Sequence, residues 1–473
     1  MKTTLLAFGV LMFGPRTAPL EAQVTTAPML APPPSLKMPA TQEARLPNGL
    51  RVVVVPMHEI PLLQVMMSVA GGAREDGSRA GLATFTANLL DEGAGARDAI
   101  GIASEAAYLG ASLNTGADWN GTNIGLRVPK RTMGAALDLM ADVVLRPTFA
   151  SAEVKRQRDL RLANLVQQED VPQVLATNAF NAVVFPESHP YHRPIGGDSI
   201  STVRLDSATV RHFYRGAFRP ERTTVIVTGD ITLPEARVEL EKRFGAWRGE
   251  PAGESSGTPP SRAQPASRPT TIYLVDKPGA AQSVIRIGHR GIERGSLDYY
   301  AVQVMNTLLG GSFSSRLNSN LRETKGYTYG ASSSFNYQPL PGAFTASADV
   351  RTDATDSSLV EFMRELRRIR DTTVDPDELD RTRQYLALRV AGSFETTSQM
   401  ANQVGTLLTF GLPFTWYDDY VRRIMAVTAE EVRRVARRYI QTDSLAVVVV
   451  GDVEKVRPSL ERLQLGPIVQ RKP

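Results

Sequence analysis

Few side chains in this chain could hold a metal or attack a bond. Cysteine is absent, which removes disulfides, thiolate metal sites, a Cys nucleophile and a lipidated N-terminal cysteine. Five histidines remain: His58, His189, His192, His212 and His289. Only His189-Pro190-Tyr191-His192 sets two at a ligand-like spacing. With no further His or Cys beside it, that segment reads as a surface loop. His58 reads as a turn residue, His212 as a helix-surface residue, and His289 as a satisfied structural histidine near a strand end. Asp91 and Glu92 are adjacent, so on a helix they would face different ways. No Gly-x-Ser-x-Gly elbow is present. Gly310-Gly311-Ser312-Phe313-Ser314-Ser315-Arg316-Leu317 lacks the P-loop lysine and reads as a helix-breaking turn. The stretch Leu321-Arg322-Glu323-Thr324-Lys325-Gly326-Tyr327-Thr328-Tyr329-Gly330 sets an arginine near two tyrosines.

A second stretch is informative for what it lacks: Ser78-Arg79-Ala80-Gly81-Leu82-Ala83-Thr84-Phe85-Thr86-Ala87-Asn88-Leu89-Leu90-Asp91-Glu92-Gly93. It resembles the zinc-site helix of the pitrilysin/insulinase-like metallopeptidases, the M16 family that includes the mitochondrial processing peptidase. There, His-x-x-Glu-His follows Gly-Leu-Ala. Two histidines four apart share a helical face and bind Zn²⁺, and the glutamate is the general base. Here those positions are Thr84, Ala87 and Asn88. Alanine has no ligand atom, and neutral hydroxyl and amide oxygens suit zinc poorly. The resemblance places the remaining zinc ligand, a glutamate, at Asn164 in Arg156-Gln157-Arg158-Asp159-Leu160-Arg161-Leu162-Ala163-Asn164, and a supporting acid at Gln157. Both have become amides, which keep shape and hydrogen bonding while losing charge. No metal is expected in this chain.

The same resemblance gives Arg322 and Tyr329, 329 − 322 = 7 residues apart, the second-domain substrate element. The arginine would bind peptide carbonyls, and the tyrosine hydroxyl would hold the scissile carbonyl as charge develops. Tyr327 would face the other way from Tyr329. Gly110-Ala111-Ser112-Leu113-Asn114-Thr115-Gly116-Ala117-Asp118-Trp119 resembles the first-domain strand on which substrates add as an extra strand, with Asn114 at the peptide-contacting position.

The elements that must position these residues are written twice. Arg51–Pro56, Leu63–Val69 and Gly77-Ser78 return as Thr271–Val275, Gln282–Ile287 and Gly295-Ser296, an offset of 295 − 77 = 218. A helix predicted over 206–215 and a strand ending at Gly229-Asp230 return as a helix over 428–438 and a strand ending at Gly451-Asp452, with 451 − 229 = 222. β-branched alternating runs followed by amphipathic helices predict an α+β fold with helices on a sheet face. The expected architecture is two homologous M16-type α/β sandwich domains in tandem, arranged like a clam. The expected boundaries are a signal peptide at 1–22, a Pro-rich flexible leader at 23–42, the N-terminal domain at 43–248, a linker at 249–269 and the C-terminal domain at 270–465.

At 473 residues, 42% hydrophobic and 22% charged, the composition is that of a soluble globular protein of two or more domains. The net charge of +5 is spread thinly, and no basic run is interleaved with aromatics, so nucleic acid is not an expected partner. Lys2 and the apolar run Leu5–Phe13 read as a secretory signal too short to span a membrane, pointing to the periplasm or beyond. The expectation is therefore a non-catalytic, substrate-binding subunit of a heterodimeric zinc metallopeptidase. Its partner would be a paralogue bearing His-x-x-Glu-His and the only zinc, and its ligands extended peptides. The alternative is a purely structural or binding core protein with no role in proteolysis. A third option is a lone peptidase using another site.

Overall fold

A computed structural model describes residues 32–249 and 268–472. The expected signal peptide and nearly all of the linker lie outside the described residues. Each half forms one six-stranded sheet. The first runs Gln42–Arg45, Arg51–Pro56, Thr223–Gly229, Leu62–Ala70, Gly121–Pro129 and Ser112–Ala117 from edge to edge. The second runs Ile468–Arg471, Thr271–Asp276, Ala446–Gly451, Gln282–Arg290, Ala343–Arg351 and Thr328–Phe335. Five strands correspond in order, and the nine-residue strands Leu62–Ala70 and Gln282–Arg290 start 282 − 62 = 220 positions apart. The outermost pair differs: Gln42–Arg45 pairs antiparallel with its neighbour, Ile468–Arg471 parallel. The second domain thus runs past the expected limit of 465, because Ile468–Arg471 completes its sheet.

The helices predicted over 206–215 and 428–438 form where expected. Ser207–Ala217 is capped by Asp206, whose carboxylate accepts from the N–H of Thr209. Ala429–Tyr439 starts with a reciprocal Thr428/Glu431 box. Such caps satisfy N–H groups that a helix cannot pair internally.

The two halves are interlocked rather than merely tethered. Within Arg51–Pro56, Val52 and Val54 pack into the first half's own core, whereas Val53 and Val55 face a core built largely from the second half. Side chains alternate across a strand, so a run of buried valines needs cover on both faces. The second cover is helix Thr397–Thr409, from the second half, which lies on strands Leu62–Ala70 and Thr223–Gly229. In return, helix Pro172–Val184 crosses to strands Gln282–Arg290 and Ala446–Gly451, where Leu175, Ala176 and Phe180 pack against Val448 and Val450. The leader also contributes: Met38 is buried on the second half's core, its N–H donating to Asp418 Oδ1 at 3.0 Å.

Candidate functional site

The helix carrying the degenerate zinc positions is short, Leu82–Ala87, and tightly seated. Gly81 begins it at φ 87°, and a Cβ there would lie 2.3 Å from the carbonyl oxygen of Gly196. Gly197, at φ 74°, approaches the Ala80 carbonyl just as closely. Only glycine fits at both points. Asp76 caps the helix from below, Oδ2 accepting from the Gly81 N–H at 2.7 Å and Oδ1 from the Ala83 N–H at 2.9 Å. Burial pushes its carboxyl up to about 7, outweighing both these hydrogen bonds and the nearby Arg161 charge, which favour ionisation.

The expected ligand positions offer zinc neutral oxygens or no donor at all. The Thr84 hydroxyl donates to the Gly81 carbonyl at 2.9 Å and accepts from Arg161 Nη2 at 3.2 Å. Ala87 is fully buried and apolar. Asn88 closes the helix in right-handed helical backbone, its N–H donating to the Thr84 carbonyl at 3.1 Å, so it lies one turn on from Thr84 as the four-residue spacing predicts, and it is exposed. Asn164 is exposed on helix Ser151–Gln168. Gln157, on the same helix, donates through Nε2 to Glu92 Oε1, and Arg156 donates to the same carboxylate. No group of three or more His, Asp or Glu residues suited to a metal occurs among the described residues. Zinc does not fit this donor set.

The other expected site residues lie on equivalent sheet edges. Asn114 is exposed on edge strand Ser112–Ala117, with Nδ2 donating to Ser112 Oγ at 3.1 Å. That strand rests against the degenerate helix, and Thr115 Oγ1 donates to Asp91 Oδ1 at 3.3 Å. Tyr329 belongs to the equivalent edge of the second sheet, Thr328–Phe335, where an irregularity in pairing between Thr328 and Ala331 lifts it from the ladder. It is 90% exposed, whereas Tyr327 packs against the core. The Tyr329 hydroxyl therefore stands open to solvent. Arg322 stands on the π-helical turn Ser319–Thr324, a local geometry frequent at functional sites. Its Nε lies 3.2 Å from Glu323 Oε1, and its guanidinium sits 4.6 Å from the centre of the exposed Phe313 ring. Exposed ion pairs and cation–π contacts contribute about 0.2–1 kcal/mol each, so this arginine can readily exchange them for a peptide carbonyl.

The structure thus gathers Thr84, Ala87, the Asn114 strand and Arg161 in the first half. It does not join them to Arg322, whose partners Glu323 and Phe313 both belong to the second. Arg161 was invisible in the pattern reading. The signal was a basic residue one helical turn before Asn164, on the same face. Gly310-Gly311 ends the π-helical segment Thr307–Gly311, and residues 312–315 turn the chain before Arg316–Asn318, the helix-breaking turn expected. Asp91 and Glu92 follow the helix instead of lying on it.

The His189–His192 segment is not a surface loop. His189 is buried, its ring stacked on Phe185 at 4.9 Å, and Nδ1 accepts from the Tyr191 N–H at 3.2 Å. The reason is the interlock, since Phe185 and Tyr191 belong to the cluster that meets the second sheet. Burial pushes the His189 imidazole down to about 4. His289 is buried as expected, with Nε2 accepting from the Gln441 N–H at 3.3 Å. His212 is exposed on its helix, and the exposed His58 pairs with Asp230 at 2.7 Å.

Two family models match the chain. Residues 51–195 match "Insulinase (Peptidase family M16)" and residues 204–386 match "Peptidase M16 inactive domain". A Mycobacterium tuberculosis protein described as an uncharacterized zinc protease is 28% identical over 414 residues, covering 85% of this chain and 91% of its own length. A probable mitochondrial-processing peptidase subunit beta of Arabidopsis thaliana is 24% identical over 430 residues, covering 89% and 80%. The crystal structure of a peptidase M16 inactive domain from Pseudomonas fluorescens superposes with a TM-score of 0.80 at 25% identity, covering 92% of this chain and all of that one.

Proposed function

The chain belongs to the M16, insulinase-like peptidase family, and from that premise we propose that it is the non-catalytic, substrate-gripping subunit of a heterodimeric zinc metallopeptidase. The partner is a paralogue bearing His-x-x-Glu-His, and zinc resides there alone. Extended peptides are held by backbone pairing along the edge carrying Asn114 and by the fork of Arg322. The Tyr329 hydroxyl stabilises the oxyanion that develops over the partner's metal. Secretion to the periplasm follows the apolar N-terminal run.

One contrast carries this reading. The Thr84 hydroxyl is committed to Gly81 and Arg161, whereas Tyr329 stands 90% exposed. A residue retained for packing would not be displayed this way. Copurification from the native host with mass spectrometry identifies the partner. Peptide hydrolysis is then measured for each chain alone and for the mixture. The expected result is no turnover by this chain and turnover on mixing. Turnover equal to that of the partner alone would remove the trans role, leaving a structural protein.

A further inference from the structure

We infer that Arg161 is a tethered substitute for the metal ion: its guanidinium joins the two helices that a zinc would have bridged, and its fixed charge keeps divalent cations out. This rests on the reading of the chain as non-catalytic.

A metal held by ligands from Leu82–Ala87 and Ser151–Gln168 would tie one helix to the other. Here Arg161 makes that tie, reaching from the second helix to the first. Nη2 donates to Thr84 Oγ1 at 3.2 Å and Nη1 to the Gly81 carbonyl at 3.3 Å, with the Phe85 ring centre 5.6 Å from the guanidinium carbon. Thr84 stands where the first histidine would be, so the guanidinium occupies the space in front of the ligand position. Arginine stays protonated in proteins, and its planar fork suits two acceptors at once. Asp76, the acid that faces it electrostatically, already engages the N–H groups of Gly81 and Ala83. A divalent ion coordinated at position 84 would meet a like charge within a few ångströms, in partly buried surroundings where screening is weak. In this site a covalently attached cation stands where a mobile one would be held.

The test restores the ligands by Thr84→His, Ala87→Glu, Asn88→His and Asn164→Glu, with and without Arg161→Met. Zinc affinity of both proteins is measured by competition with a chromophoric chelator, alongside thermal melting. The protein keeping Arg161 should bind zinc on the order of a hundredfold more weakly than the one lacking it. Equal affinities, or no zinc binding by either folded protein, would overturn the inference. Should the ligand-restored chain fail to melt cooperatively, single substitutions in the unaltered chain decide. Arg161→Met should lower the melting temperature by several degrees, and Arg161→Lys, which lacks the fork, should recover only part of the loss. An unchanged melting temperature for Arg161→Met also overturns the inference. Stoichiometric zinc in the unaltered chain is a separate outcome, which would sink the proposed function itself.

Discussion

The Thr228 hydroxyl donates to the Thr397 carbonyl at 2.7 Å, a buried hydrogen bond between residues 169 positions apart. It pins the start of helix Thr397–Thr409 to the first sheet, and beside it Ser398 Oγ donates to Gln64 Oε1 at 2.8 Å. On the other side, Gln173 Nε2 donates to Asp349 Oδ2 at 2.8 Å where helix Pro172–Val184 meets the second sheet. Each half covers what the other leaves open. Residues 32–249 expressed alone should therefore expose Val53, Val55 and Ile226 and aggregate. Coexpression with 268–472 should return a soluble complex. A monomeric, cooperatively melting fragment on size exclusion would contradict this.

Phe180 is the anchor of the first exchanged helix, 2% exposed among residues of both halves. Phe180→Ala removes a large apolar side chain from a packed seam and should destabilise the whole chain by about 3–5 kcal/mol. Urea unfolding would report this as a lower midpoint of one transition. A loss under about 1 kcal/mol would mean that the seam contributes little.

Tyr329→Phe should leave stability within about 0.5 kcal/mol, because the side chain is almost fully exposed. With the partner present, turnover should fall by roughly a hundredfold to a thousandfold, the range for loss of one oxyanion donor. Full turnover with Phe at 329 would remove the hydroxyl from the chemistry. Arg322→Lys keeps the charge without the fork and should mainly raise KM.

The buried carboxyl of Asp76 sets a pH dependence. Its proton is held to about 7 in the folded chain, against an ordinary 3.8. A raised pKa means stabilisation that is complete below pH 3.8 and is lost as pH rises through about 7. Melting curves across that window should show Asp76→Asn with a flatter dependence than the unaltered chain. Parallel curves would place the titration elsewhere.

The repeat, the strands and the paired helices were legible because local periodicity specifies them. Val447, Val448, Val449 and Val450 announced an apolar strand, but not which helix covers it. Nothing in the period of Pro172–Val184 distinguishes its own sheet from the other half's, and that missing link also misplaced His189 at the surface. The losses at Thr84, Ala87 and Asn164 were readable residue by residue. The exposure of Tyr329 was not legible, since it depends on the irregular pairing beside Ala331.

Because each half borrows a helix from the other, damage in one surfaces as a defect in its neighbour. A lesion within residues 397–409 would loosen the wall behind Val53 and Val55, so a variant mapped to the C-terminal half can mimic a fault in the N-terminal one. Engineers recombining halves of related chains must keep sheet and visiting helix together as a matched set.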